Sequence, residues 1–156
     1  MSIEKDLIET WHINNRINLY LLDAIDEKHL ADLPSGGKGR DVGKQFAHLH
    51  NVRLMWLKVA APKLHDKQKK IDTEKKITKK QLTESLKKSA DAIAELLENG
   101  IKEGKIKGFK PHPAAFLGYL LAHEAHHRGQ IMLALKQSGH ALDQKTQYGL
   151  WEWGVR

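Results

Sequence analysis

The chain has 156 residues, 40% of them hydrophobic, which is enough for one domain with its own core. It contains no cysteine, which excludes disulfides, cysteine zinc sites and a catalytic thiol of its own. Lys and Arg number 26 against 19 acidic residues, and the net charge of +7 favours acidic partners. Charge alone does not choose among nucleic acid, anionic membrane and anionic small molecules.

The first half of the chain predicts two helices, in which apolar residues recur at spacings of three and four. The first runs from about residue 2 to residue 31 and ends at a loop that contains Pro34 and three glycines. The second runs from about residue 42 to residue 61, where Pro62 stops it.

The second half predicts two more helices with recognisable ends. Thr78 and Gln81 have the spacing of a capping box, so the third helix begins near Thr78 and continues to about Gly100. The fourth begins at Pro113, a favourable first-turn residue, and ends at residues 138–139, where a serine precedes a glycine.

Four such helices without any clear strand predict an all-α fold, an up-down four-helix bundle that forms a single domain over residues 1–156. Residues 62–78 are rich in lysine and are expected to form a solvated crossover between the second and third helices. Residues 140–156 form a tail that carries Trp151 and Trp153, and we expect it to dock on its own bundle or on a partner.

The sequence shows no feature of export or membrane insertion. The N-terminal residues include acids and no long apolar stretch, so they do not resemble a signal peptide, and no run is long enough to cross a bilayer. We therefore expect a cytoplasmic protein that does not associate with membranes.

The histidines of the fourth helix are its most informative residues. His123 and His127 are one turn apart, in a sector that also contains Phe116, Leu120 and Ile131, so both are expected to face the bundle interior. Two ligands of one metal on a helix need this spacing.

The second helix offers a third histidine. His48 shares its sector with Val52, Met55 and Val59, whereas His50 points nearly the opposite way. His48 is therefore predicted to face inward, and His50 is predicted to lie at the surface.

Together, His48, His123 and His127 predict a three-histidine metal site with open coordination positions. The simpler explanation for any one of them is a core hydrogen bond, but a metal is favoured for an i, i+4 pair plus a third. The ligands suit zinc or nickel best, and iron or copper can also bind such a set.

The stretch from His123 to His127 also reads H-E-x-x-H, the pattern of zinc proteases, with Glu124 as its general base. The rest of the chain disfavours that interpretation. Gln130 and Leu133 stand where the longer protease motif has a glycine and a third histidine, and no strand is present to bind a peptide.

The segment HPAAFLGYLLAHEAHHRGQI resembles the last helix of the DinB-like (DinB/YfiT) bundle proteins, whose mark is H-x-x-x-H followed by R-G-Q. Here His123, His127, Arg128, Gly129 and Gln130 match that mark. The segment VGKQFAHLHNVRLMWL resembles the family's second helix, in which one histidine supplies the remaining ligand, aligned with His48.

The resemblance implies a four-helix bundle that holds a divalent ion with three histidines, often as a homodimer. Relatives include enzymes that use low-molecular-weight thiols such as bacillithiol and mycothiol, and others are regarded as metal-dependent hydrolases. We therefore expect a metal-dependent transferase that acts with a small thiol on a small-molecule substrate. The alternatives are a metal-dependent hydrolase, with Glu124 as a candidate base, and a non-enzymatic binding protein.

A nucleic-acid partner is disfavoured. The lysines between residues 67 and 80 are interrupted by acids and are not interleaved with aromatic residues, so bases have no stacking platform. No catalytic or cofactor-binding residue is assigned from the sequence. Arg128 and Gln130 can bridge helices as readily as touch a substrate.

Overall fold

The computed structural model describes residues 2–156, which contain four long helices and two short ones. The described residues form no strand, only a single bridge between Ile106 and Phe109, and this confirms the all-α class. The helices are α1 (Ile3–Asp23), α2 (Val42–Ala60), α3 (Pro62–His65), α4 (Lys79–Glu103), α5 (Pro113–Gln137) and α6 (Gln144–Gly149), with 3₁₀ turns at Glu27–Ala31 and Trp153–Val155.

Side-chain caps begin the long helices, as expected at helix N-termini whose first N–H groups lack partners. The Thr78 hydroxyl accepts a hydrogen bond from the Gln81 N–H at 3.1 Å, which confirms the predicted start of α4. The helix predicted over residues 2–31 is shorter than expected. The chain leaves α1 after Asp23, and Asp26 then caps the separate 3₁₀ turn by accepting from the Lys28 N–H.

The interior consists of two apolar clusters separated by a layer of polar side chains, which we call the polar layer. Each long helix contributes to both clusters and crosses the polar layer between them. The members of the polar layer are Asn14, Asn15, Asn18, Arg53, Ser89 and Glu124, all buried.

The order in which each helix meets the clusters gives its direction. The cluster that contains Trp11 comes first in α1 and α5, whereas the cluster that contains Leu21 comes first in α2 and α4. The alternation expected of an up-down bundle therefore holds from α1 to α2 and from α4 to α5. The crossover between α2 and α4 interrupts it, because those two helices run in the same direction.

The lysine-rich crossover is anchored to α2. The Asn51 amide exchanges two hydrogen bonds of 3.0 Å with the backbone of Ile71, whose side chain is buried. His50 Nε2 bonds the Lys69 carbonyl at 2.8 Å. The prediction of a surface-exposed His50 is therefore wrong, because the crossover covers the face of α2 on which this ring lies.

The tail docks on α1 of its own bundle. The Arg156 guanidinium lies 3.8 Å above the Tyr20 ring and donates to the Gly149 carbonyl, while Arg16 donates to the Arg156 carbonyl. Trp151, by contrast, is 80% exposed.

Among residues 2–156, every helix is too short or too polar to cross a lipid bilayer.

Candidate metal centre

Three histidines from α2 and α5 converge at one place between the helices. His48, His123 and His127 each present a ring nitrogen, and these three atoms all lie within 4.8 Å of one another. We call this group the histidine triad. The sequence predicted these three residues, and the structure brings all of them together.

The rings of the triad are inclined to one another. The centroids of His48 and His127 are 4.5 Å apart with planes at 67°, and those of His123 and His127 are 4.6 Å apart at 68°. Nitrogen lone pairs lie in the ring plane, so tilted rings can direct three of them toward one point, whereas stacked rings cannot. The donor set therefore fits a metal ion with three nitrogen ligands.

The triad lies at the edge of the core rather than in its middle. His127 is 5% exposed, but His48 and His123 are only partly buried. Met55 and Val59, which share the sector of His48, are 67% and 48% exposed. The prediction that His48 and His123 face the bundle interior is wrong in that respect, because α2 and α5 turn their more buried faces toward the polar layer.

The triad is neutral at ordinary pH. Burial lowers the pKa of His48 to about 4, aided by the positive charge of Arg40 and by His123. Burial likewise lowers the pKa of His127 to about 4, aided by His123 and His48, and burial lowers the pKa of His123. Neutral imidazole is the form that binds metal, so protons do not compete for these nitrogens near pH 7.

A glutamine fixes the orientation of one ring. His127 Nδ1 lies 2.7 Å from Gln45 Oε1, which only accepts, so Nδ1 carries the proton and Nε2 keeps its lone pair. The Gln45 amide nitrogen donates to Gln130 Oε1 at 3.0 Å, which holds the amide in this orientation. Metal-bound histidines are commonly oriented in this way by a partner at the other nitrogen.

Glu124, between the two histidines of α5, is the centre of the polar layer and is fully buried. Its carboxylate accepts four hydrogen bonds of 2.7–2.9 Å, from Asn14, Asn18 and twice from Arg53. Burial alone would raise the pKa of Glu124, but the Arg53 charge and these hydrogen bonds together hold it below its usual value.

The hydrogen-bond donors of Arg53 are likewise all used. Its five N–H groups donate to Glu124 twice, to Asn15, to the Leu86 carbonyl and to the Ser89 hydroxyl. Its guanidinium also lies 4.8 Å from the centre of the Trp11 ring. Sequence reasoning missed this pair, although a charged residue amid the apolar positions of each helix was a visible signal.

Arg128 and Gln130 have structural contacts. Arg128 donates to the Asn14 and Asn18 side-chain oxygens at 2.8 and 2.7 Å and so joins α5 to α1. Gln130 contacts Gln45 and His126. Arg128 thus supports the polar layer, and Gln130 supports the orientation of the triad.

A positively charged groove borders the triad. Its volume is about 420 Å³, and His48 lies in its wall. None of the described residues that line it carries a carboxylate. Its cationic side chains are Arg40, Lys44, Lys58 and Lys70.

The fold and the site together define a class: a helical bundle whose helices present three neutral histidines, suited to a divalent metal, beside a cationic groove. The model of the DinB family matches residues 1–153, and the chain belongs to that family. No match was found among curated proteins or among solved structures.

Proposed function

We propose that this DinB-family protein binds one divalent metal ion at His48, His123 and His127 and acts as a transferase with an anionic small thiol. The observation that carries the proposal is a neutral histidine triad of which one member, His48, lines a cationic groove whose described lining residues include no carboxylate. When bound, the ion would supply a Lewis acid that lowers the pKa of a thiol. Zinc or nickel suits the three imidazoles best, and iron is a further option.

The burial of Glu124 favours a thiol over water as the nucleophile, because it removes the base that the hydrolase alternative assigned. A thiol has a pKa of about 8.5 and needs little help to ionise near neutral pH. Glu124 is fully buried, and its oxygens accept hydrogen bonds from Arg53, Asn14 and Asn18, so it is not free to accept a proton from water. The hydrolase alternative and the protease interpretation of H-E-x-x-H therefore both lose Glu124 as their candidate base.

The groove suggests how the thiol is chosen. Four cationic side chains, those of Arg40, Lys44, Lys58 and Lys70, line a space that is large enough for a small molecule. Such a wall concentrates anions and orients a carboxylate or similar group on the thiol. Because the chain has no cysteine, the thiol must be supplied by the substrate or by a thiol cofactor.

The test is the conjugation of a model electrophile by the zinc-loaded or nickel-loaded protein, with mercaptosuccinate compared with the uncharged 2-mercaptoethanol. We expect catalysis that is lost when all three triad histidines are replaced by alanine and retained in His12→Ala, which lines a different groove. Rates no higher than those of the metal-free protein, with every thiol tried, would refute the proposal.

Charge reversal in the groove tests the choice of thiol. Lys58→Glu is expected to raise the KM for mercaptosuccinate several-fold and to leave 2-mercaptoethanol unaffected. Lys87→Glu makes the same change in net charge at an exposed site outside the groove, so it is the matched control. Equal effects of the two variants would show that only overall charge matters.

The homodimer implied by the family resemblance stays a prediction, which sedimentation velocity can check.

A further inference from the structure

A second group of metal-ligand side chains lies where the 3₁₀ turn Glu27–Ala31 meets the end of α5. It consists of His29, Asp32 and His140, and one ligand atom from each lies within 4.8 Å of the others. We call it the distal cluster. None of its residues belongs to the histidine triad or to the motif of the family resemblance.

The backbone on both sides of the distal cluster is already fixed. The Ser35 N–H donates to the Gln137 side chain at 2.7 Å, and the Ser138 hydroxyl donates to the Leu33 carbonyl at 3.2 Å. The Asp32 carbonyl accepts from the Val42 N–H at 3.0 Å. A ligand at this place would therefore not have to bring the two segments together.

The turn after α5 aims His140 back at this loop. Gly139 has a φ of +80°, a left-handed conformation that glycine adopts at low cost, and the His140 N–H then bonds the Leu135 carbonyl at 2.8 Å. His140 Nδ1 consequently lies 2.7 Å from Asp32 Oδ2, between residues 108 positions apart in the chain.

The side chains already form a connected group. The carboxylate of Asp32 is 11% exposed and His140 is 38% exposed, so an ion can reach the shared edge of the two groups. The His29 ring stacks on the His140 ring with centroids 3.6 Å apart and planes at 9°. The nitrogen lone pairs of the two rings therefore lie in nearly parallel planes, and binding of one ion requires the His29 ring to turn about its Cβ–Cγ bond.

We propose that the distal cluster is a second divalent-metal site, which takes a zinc-type ion and clips the loop after α1 to the end of α5. Two imidazoles and one carboxylate are ligands that zinc binds well. The ion would take the place of a proton on His140 Nδ1 in the contact with Asp32, and the neutral imidazole would carry its one proton on Nε2 instead. With its ligands drawn from two separate segments, the site stabilises the fold rather than serving the triad.

Zinc alone is the probe. In equilibrium dialysis with elemental analysis, we expect the His48→Ala, His123→Ala, His127→Ala triple variant to retain about one zinc per chain. Adding Asp32→Asn and His140→Gln to that triple variant should remove it, whereas adding His12→Gln should not. This result is independent of the proposed thiol transferase, because the triad is absent from every one of these proteins.

Stability gives a second readout. In the triple variant, a hundredfold excess of zinc over its Kd should raise the melting temperature by roughly 5–10 °C, and the shift should vanish with Asp32→Asn and His140→Gln. Circular dichroism before zinc is added shows whether the distal-cluster variants fold. If they do not fold, His29→Asn is added to the triple variant instead, and this change must weaken zinc binding at least tenfold. Either no zinc in the triple variant or zinc that survives the distal substitutions would overturn the proposal.

Discussion

Replacing Glu124 by glutamine should cost the protein much of its stability rather than only its activity. The substitution keeps the shape of the side chain but leaves the Arg53 guanidinium, which is fully buried, without its counter-charge. Removing one partner of a buried ion pair typically costs about 3–5 kcal/mol. For a chain of this size that corresponds to a melting temperature lower by roughly 6–20 °C.

Urea unfolding at pH 7 measures the effect directly. Arg53→Met should lower stability by a similar amount, because it strands the Glu124 carboxylate among the asparagines instead. The double variant Arg53→Met, Glu124→Met should be less destabilised than the two single effects added together, since neither charge is then left alone. The exposed Glu9 pairs with Arg16 at the surface, and Glu9→Gln is the control, expected to change stability by less than about 1 kcal/mol.

Two results would refute this reasoning. If Glu124→Gln were as stable as the parent protein, the polar layer would not depend on its charge. If it kept full stability but lost metal-dependent activity, Glu124 would belong to the chemistry, and the hydrolase hypothesis would regain its base.

Three further predictions concern the triad and the helix packing. The pKa of His48 and that of His127 are about 4 in the folded protein, against 6.5 in the unfolded chain. The metal-free protein should therefore lose stability as the pH falls from 6.5 to 4. Equal urea midpoints at pH 7.5 and pH 5 would contradict this. Gln45→Leu should weaken zinc binding about 10–100-fold in a chelator competition, and unchanged affinity would show that its hydrogen bond does not orient the ring. Gly100→Ala should lower the free energy of unfolding in urea by about 1–3 kcal/mol, because the new Cβ would lie 2.2 Å from the Ile106 side chain. Gly118→Ala has open space around it and should stabilise α5 by about 0.5–1 kcal/mol. Equal effects of the two glycine substitutions would show that the Ile106 contact yields without cost.

The starts of α4 and α5 could be predicted closely, since helix caps depend on local sequence. Thr78 caps α4 and Pro113 opens α5 as predicted, because caps depend only on residues a few positions away. The packing of the crossover was harder to predict from the sequence. The burial of Ile71 and His50 depends on a long-range contact between the crossover and α2, and the lysine-rich composition of the crossover gives no sign of it. The distal cluster was out of reach for the same reason, because Asp32 and His140 meet only after the fold has formed.

The triad was predicted by residue but not by position in the bundle. Its prediction placed His123 and His127 in the middle of the inward stripe of α5 and left the direction of Glu124 open. The structure centres α5 on Glu124, which is fully buried, and His123 and His127 then lie about 100° and 60° to the same side of it. Local sequence patterns could not place Glu124 at that centre, because its charged partner Arg53 comes from another helix.

That rotation gives the buried pair a second consequence. A purely apolar α5 could turn by some tens of degrees and still bury its stripe, but a carboxylate that receives donors from α1 and α2 has one satisfactory orientation. Fixing Glu124 therefore fixes His123 and His127 at the edge of the core, where both lie next to His48. The polar layer reduces the apolar area that the bundle can bury, but it fixes the rotation of α5 that brings the triad together.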